Sequence, residues 1–197
     1  VLIENCSEQL ICDEGEVDLG WGNCNELWSG HTDGCMSSGC YSIEQTTELI
    51  RTYTIVGEIP SEIGELVNLT RIYIEGCDIS GEIPLEIGNL VNLQSFYIYD
   101  NEELFESSGL TGEIPDEIGN LTNLELIVLS NNQLIGGIPE SLGNLTNLDG
   151  LSLSNNQLDG EIPVWIENLI NLTYLGLDGN QFMGQIPSTI GNLINLY

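Results

Sequence analysis

One dipeptide, Ile-Pro, recurs along this sequence at almost constant spacing. Every proline of the chain belongs to it. The six pairs are Ile59-Pro60, Ile83-Pro84, Ile114-Pro115, Ile138-Pro139, Ile162-Pro163 and Ile186-Pro187. Successive pairs are separated by 24, 31, 24, 24 and 24 residues. A fixed period of this length is typical of repeat proteins, whose units stack on their neighbours to bury one continuous core.

Each repeat unit begins with a pattern that predicts a short strand. Leu151 and Leu153 alternate with Ser152 and Ser154. Because successive side chains of a strand point to opposite faces, the leucines are expected in the core and the serines outside. Asn156 follows at the bend, where its amide can bond backbone groups that the turn leaves open, so stacked copies are expected to form a ladder.

The second part of the unit is a turn followed by a short helical stretch. Gly160 supplies the backbone freedom that a turn needs, and Pro163 suits the first turn of a helix. The chain then passes through Asn168 and Leu169 to the next strand.

Over about residues 57–197 the chain resembles the plant-type, 24-residue leucine-rich repeat, whose consensus is LxxLxLxxNxLxGxIPxxIGNLxNL. The resemblance implies an α/β solenoid, a right-handed horseshoe or superhelix with a parallel β-sheet on its concave face. Short 3-10 helices or turns would line the convex face, and non-enzymatic binding would be the usual activity. The family's ladder position falls on Cys77, Asn101, Asn132, Asn156 and Asn180. Cys77 is interpreted as a buried thiol rather than as a disulfide partner.

Five of the six cysteines precede the repeats. They are Cys6, Cys12, Cys24, Cys35 and Cys40. This density favours disulfides and an oxidising, exported location. Zinc is the alternative, but no CxxC occurs among these cysteines and His31 is the single histidine. Because five is odd, one thiol is expected to be free or to pair outside the group.

Residues 1–46 resemble the cysteine-bearing N-terminal cap of the family, and residues 47–197 form an array of about six repeats. The plant cap pattern CxWxGxxC is present with insertions between Cys24 and Cys35, a departure that leaves the pairing of the cysteines open. The run CYSIEQTTEL, from Cys40, is also similar to secreted repeat proteins of marine bacteria. The chain has no initiator Met and stops partway through a repeat, so a processed or truncated product without a C-terminal cap is expected.

The charge balance excludes some partners. The 31 acidic residues face only Arg51 and Arg71, which gives a net charge of −29. Nucleic acids and anionic membrane surfaces both require cations on the protein, so neither is an expected partner. No apolar run reaches the roughly 18 residues that span a bilayer. A secreted, extracellular or cell-surface location is predicted.

Catalytic and metal signals are sparse. The chain contains none of the common catalytic motifs, and His31 near Asp33 is more typical of a solvated loop than of an acid–base pair. Enzymatic activity and cofactors are therefore not expected. An acidic run in the cap, Asp13, Glu14, Glu16 and Asp18, leaves an irregular calcium site as an alternative to a solvated loop. An EF-hand is excluded, because Gly15 and Val17 occupy ligand positions.

Five Asn-x-Ser/Thr sequons predict glycosylation where the host has the transferase. They begin at Asn5, Asn68, Asn120, Asn144 and Asn171. The alternative is that most of them follow from the repeat consensus alone, since NLT recurs within it.

The concave face is the predicted binding surface, because equivalent strand positions align in columns about 4.8 Å apart. Aromatic side chains are concentrated in the first repeats, and exposed Tyr and Arg often anchor interfaces. The predicted partner-binding residues are Arg71, Tyr73, Glu75, Tyr97, Tyr99, Asp100, Phe105 and Tyr174. The alternative is structural: a cross-strand tyrosine stack and an Arg51–Glu75 ion pair that only support the sheet.

The 31-residue interval contains a seven-residue insertion within residues 102–109. It is acidic and carries Phe105, which either folds back or meets a partner.

Two functions follow from these features. The first is a non-enzymatic extracellular recognition or adhesion module that binds a protein or a glycan through the concave face. The second is a structural subunit that stacks end to end into an extracellular fibre, because a head-to-tail contact of this kind can propagate.

Overall fold

A computed structural model describes residues 16–19, 40–52, 56–99 and 109–197. The strands in this part of the chain are β1 (Glu16–Asp18), β2 (Cys40–Ser42), β3 (Glu48–Thr52), β4 (Val56–Glu58), β5 (Arg71–Glu75), β6 (Asp78–Ser80), β7 (Ser95–Tyr99), β8 (Leu126–Val128), β9 (Ile135–Gly136), β10 (Gly150–Ser152), β11 (Gln157–Leu158) and β12 (Tyr174–Gly176). Its 3-10 helices are η1 (Ser61–Glu65), η2 (Leu85–Asn89), η3 (Asp116–Asn120), η4 (Glu140–Asn144), η5 (Val164–Asn168) and η6 (Ser188–Asn192).

The main sheet confirms the predicted solenoid. Six strands lie side by side in the order β12-β10-β8-β7-β5-β3. Every neighbouring pair is parallel. The strands follow one another in chain order with one helix between each neighbouring pair, so each repeat adds one strand to the sheet and one 3-10 helix to the opposite side. Leucine and isoleucine side chains from both layers fill the space between them.

The 3-10 helices begin directly after the prolines of the Ile-Pro pairs. In η1, for example, the Ile63 N–H donates to the Pro60 carbonyl at 3.1 Å. Neighbouring helices approach closely. A Cβ on Gly119 would lie 2.5 Å from Ser141 Cβ and 2.6 Å from the Ser141 carbonyl oxygen. Glycine is therefore required at this position because the backbone of the next repeat occupies the side-chain space.

A second, shorter row of parallel pairing accompanies the main sheet, where the sequence indicated only a turn. It includes β4 with β6 and β9 with β11, and isolated bridges continue it at Glu82–Thr111, Glu113–Ile135 and Glu161–Met183. The residues after the ladder position run extended and bond to the repeat before, as when the Gln157 N–H donates to the Leu134 carbonyl at 2.8 Å.

Amide side chains at the ladder position bind backbone groups of two repeats. Asn156 Oδ1 accepts the Leu134 N–H at 3.0 Å, and Asn156 Nδ2 donates to the carbonyls of Leu129 and Leu153 at 2.8 and 3.0 Å. Asn132 and Asn180 make equivalent bonds. At the first ladder position, the buried, free thiol of Cys77 donates to the Glu75 carbonyl at 3.5 Å. Asn101 lies outside the described residues.

The residue before the ladder position has a left-handed backbone. Asn131 and Asn155 have φ values of 56° and 55°, and Gly76 and Gly179 occupy the same place in their repeats. Asparagine tolerates this conformation better than most residues. The first asparagine of each Asn-Asn pair is thus a turn residue, and Asn155 Nδ2 also donates to Asn131 Oδ1 at 2.8 Å.

A second amide ladder runs along the convex side, and the sequence analysis missed it. The asparagine of each LxNL segment donates from Nδ2 to a carbonyl about one repeat length earlier in the chain, at 2.8 to 3.1 Å. The donors are Asn68, Asn92, Asn123, Asn147, Asn171 and Asn195. The regular return of this asparagine was the signal that could have revealed it.

Candidate functional site

The register of the main sheet defines three rows of side chains on its concave face. The row nearest the strand starts holds Glu48, Arg71, Ser95, Leu126, Gly150 and Tyr174. The middle row holds Ile50, Tyr73, Tyr97, Val128, Ser152 and Gly176. The third includes Glu75 and Tyr99. Large side chains therefore occupy β5 and β7, and small ones occupy β10.

Three tyrosines on β5 and β7 form one aromatic cluster. The rings of Tyr73 and Tyr97 stack across the two strands with centroids 4.3 Å apart and planes inclined by 12°. The Tyr99 ring lies 6.0 Å from that of Tyr97, tilted by 48°. All three side chains are partly buried. We call these rings, together with Arg71 and Glu75, the tyrosine patch.

A hydrogen bond fixes one end of the patch. Tyr73 Oη donates to Glu75 Oε2 at 2.7 Å. This bond, together with partial burial and the neighbouring Tyr97, raises the pKa of Tyr73 above its ordinary value because each favours the protonated phenol. Tyr73 therefore stays a hydrogen-bond donor throughout the neutral pH range.

Arg71 lies at the edge of the patch, exposed to solvent. A shallow depression of about 250 Å³ opens beside it, near the starts of β5, β7 and β8. Its lining residues are Glu48, Thr70, Arg71, Gln94, Ser95, Glu125 and Leu126. The depression extends the patch with polar groups, so the surface combines aromatic rings, a guanidinium and carboxylates.

The other arginine does not join this surface. Its register partner on β5 is Ile74, whereas Glu75 is paired with Thr52. Because side chains alternate along a strand, Arg51 and Glu75 point to opposite faces of the sheet. The register therefore does not place Arg51 opposite Glu75, as the structural alternative required, and Arg51 Nη1 donates to the Ile50 carbonyl at 2.7 Å.

The serines of the later repeats are less exposed than the strand pattern indicated. Ser152 and Ser154 are each only 8% exposed. Ser152 Oγ lies 2.6 Å from Ser130 Oγ, and Ser154 Oγ donates to Asp178 Oδ1 at 2.5 Å. These small side chains satisfy one another across the strands and are covered by their neighbours, so they offer little surface to a ligand.

Tyr174 lies on the same face but apart from the patch. It is 49% exposed, and its hydroxyl reaches over Gly176, where a Cβ would lie 3.0 Å from Tyr174 Oη. The concave face thus brings together five predicted binding residues, Arg71, Tyr73, Glu75, Tyr97 and Tyr99, and leaves Tyr174 separate. Asp100 and Phe105 lie outside the described residues.

Most of the cap predictions also fall outside the described residues. These are Cys6, Cys12, Cys24, Cys35, Asn5, Asp13, Glu14, His31 and Asp33. The backbones of Glu16 and Asp18 lie in β1, which pairs antiparallel with β2, where Cys40 lies. Within the described ranges, no group of three or more His, Cys, Asp and Glu residues is placed to hold a metal ion.

The sequon asparagines of the repeats fall into two geometric classes. Asn68 and Asn171 belong to the convex amide ladder, and their Nδ2 atoms donate to the carbonyls of Glu44 and Thr146 at 3.1 and 2.8 Å. Asn120 and Asn144 are exposed at the ends of η3 and η4, outside that ladder. Because a glycan is attached through Nδ2, the second pair suits modification of the folded chain better.

Known proteins match the repeats. Models described as leucine rich repeat match residues 122–182 and 68–90. The plant peptide hormone receptor RGFR1, solved in complex with RGF2, is 44% identical, with a TM-score of 0.67 over 72% of this chain and 22% of that chain. The fold is a leucine-rich repeat solenoid.

Two further structures show the range of proteins that share the fold. The Arabidopsis receptor kinase HAESA, in complex with the peptide hormone IDA and the co-receptor SERK1, is 34% identical, with a TM-score of 0.68 over 75% of this chain and 24% of that chain. A plant ice-binding protein is 33% identical, with a TM-score of 0.64 over 72% of this chain and 44% of that chain. The chain thus spans about a quarter or less of the two receptors. Curated protein sequences give no match.

Among the described residues, no helix has the length and the apolar content needed to cross a bilayer.

Proposed function

We propose that this chain is an extracellular recognition module that binds an extended protein segment on the concave face of β5 and β7. The tyrosine patch carries the proposal. It concentrates rings and a guanidinium on one side of a rigid sheet, and these are the groups that anchor protein interfaces. The same face of β10 bears only Gly150 and small side chains, so the patch is not a consequence of the repeat consensus.

Similarity supports a protein ligand over a glycan. Receptors that share the fold are solved with peptide hormones, in one case together with a co-receptor. A chain with a net charge of −29 and almost no cations also repels anionic surfaces and favours partners that are neutral or positive.

Panning a displayed library of linear peptides against the chain tests the proposal. Enriched peptides are expected to lose roughly tenfold or more in affinity when Tyr97→Ala removes the central ring of the patch. Asn147→Ala, which alters an exposed convex amide, is the matched control and should bind like the unchanged chain. Thermal unfolding of each variant separates lost contact from lost folding.

Three outcomes count against the proposal. The first is a library that yields no peptide. The second is a set of enriched peptides that bind Tyr97→Ala as tightly as the unchanged chain. The third is a glycan array that gives ligands dependent on Tyr97 while peptide binding does not depend on it. End-to-end self-association into a fibre is tested in the same samples by light scattering, where a monomer at every concentration argues against it.

A further inference from the structure

The tyrosine patch has a second chemical character besides its aromatic area. Three rings lie within two adjacent strands, and each keeps part of its surface exposed. The face of an aromatic ring carries negative electrostatic potential, so clustered rings attract cations that approach within about 6 Å of a centroid. An apolar ligand alone would not exploit this property.

A carboxylate stands among the rings. Glu75 is the register partner of Tyr99 on the neighbouring strand and accepts the Tyr73 hydroxyl through Oε2. A carboxylate has about four acceptor positions on its two oxygens, so the bond from Tyr73 leaves capacity for a further donor. That bond also holds the Glu75 side chain beside the rings, which lowers the entropy lost on binding a ligand.

The charge around the tyrosine patch is also negative. Among the described residues of the patch and the adjoining depression, Glu48, Glu75 and Glu125 outnumber the cation Arg71, so these four groups sum to a charge of −2. Glu48 is the register partner of Arg71, so the guanidinium has a carboxylate on the neighbouring strand. An anionic ligand would be repelled here, while a cationic one would be drawn in from a distance.

We infer that the patch takes a cationic side chain, the guanidinium or ammonium group of an arginine or lysine within the bound segment. The cation lies against the tyrosine rings and donates to the Glu75 carboxylate. This inference rests on the proposed function, because it names the ligand chemistry of the same surface.

The test uses two short probes that differ only in charge. Acetyl-Gly-Ser-Arg-Ser-Gly-amide and its counterpart with citrulline, which is neutral and nearly the same shape as arginine, are titrated into the chain while tyrosine ring resonances are followed by NMR. The arginine peptide is expected to bind at least about tenfold more tightly. Glu75→Gln and Tyr97→Ala should each bring that ratio close to one.

Glu113→Gln is the control for charge, because it removes one exposed carboxylate of the second strand row and leaves the patch intact. It should keep the full preference for arginine. If it lost the preference as Glu75→Gln does, or if Glu75→Gln kept it, attraction would come from the diffuse field of the acidic chain and the inference would fail.

Failure of the inference is distinct from failure of the proposed function. Equal binding of both probes at the patch would overturn the cationic preference and leave a protein-binding face. Failure of both probes to bind at millimolar concentration would also overturn the inference, while peptides from the library that depend on Tyr97 would still uphold the proposed function.

Discussion

The repeats that contain β5 and β7 differ from those that contain β8, β10 and β12 at two sets of positions, the concave face of the sheet and the ladder position. The earlier repeats have bulky, varied side chains on the concave face and a thiol, Cys77, at the first ladder position. The later repeats have an amide ladder at Asn132, Asn156 and Asn180. Their concave side chains are small on β10 and aliphatic on β8, and β12 carries the separate Tyr174. Positions that hold the repeats together and positions that can meet a ligand are therefore separate, and one set can vary without the other.

The largest effect is expected from a substitution in the amide ladder of the later repeats. Asn156→Ala removes the acceptor of the Leu134 N–H and the donor to two buried carbonyls, so the free energy of unfolding should fall by about 2–4 kcal/mol. Cys77→Ala removes one weak bond and little volume and should cost about 1 kcal/mol. Urea unfolding midpoints measure both.

Asn147→Ala serves as the control for this prediction, since its exposed amide makes one bond, to the Thr122 carbonyl at 2.9 Å. If Cys77→Ala lowered the free energy of unfolding as much as Asn156→Ala does, the two halves of the solenoid would depend on the ladder position to the same degree.

A second change tests the packing that both halves share. Gly119→Ala places a methyl group 2.6 Å from a backbone oxygen of the next repeat and should cost roughly 1–3 kcal/mol through overpacking. Gly137→Ala is the matched control, because a Cβ there meets no atom within 4 Å. The midpoints of thermal unfolding measure both variants, and equal decreases in the two midpoints would contradict the prediction.

The smallest effect concerns the patch and depends on pH. The pKa of Tyr73 is raised in the folded chain, so the unfolded chain releases this proton first as the pH rises beyond the ordinary tyrosine value of about 10. The stability that the phenol contributes is present below that pH and is lost above it. Tyr73→Phe lacks the Glu75 bond and should be slightly less stable at neutral pH.

Unfolding midpoints between about pH 8 and 11 check this prediction. The unchanged chain should lose stability more steeply than Tyr73→Phe above about pH 10. Parallel curves would show that the Tyr73–Glu75 bond does not form in solution.

Much of this fold could be predicted from the sequence, because the residues that recur with the period determine the structure of their own segment. A 3-10 helix begins directly after Pro163, whose ring fixes φ, and Leu151 and Leu153 are buried because they alternate along a strand. The regular recurrence of Asn147 and its equivalents was a signal for the convex ladder. It was not used, because the carbonyls that accept the bonds lie one repeat away and residue type does not identify them.

The site was predictable only in part. Tyr73, Tyr97 and Glu75 could be assigned to one face by counting positions within the repeats. Arg51 could not, because the first strand precedes the repeat consensus and its register is fixed only by pairing with β5. An offset of one residue reverses the face on which a side chain lies, so this error moved a cation from the candidate site to the other side of the sheet.

By itself, the sequence determined the period, the class of fold, the core positions and the acidity of the surface, because each depends on residue type and spacing. The tertiary structure alone decided how the side chains meet: the stack of Tyr73 on Tyr97, the bond from Tyr73 to Glu75, and the bonds of Ser152 with Ser130 and of Ser154 with Asp178. Apart from the Tyr73–Glu75 bond, which lies within β5, these contacts join residues of different repeats, and their geometry depends on the register and rotamers that stacking imposes.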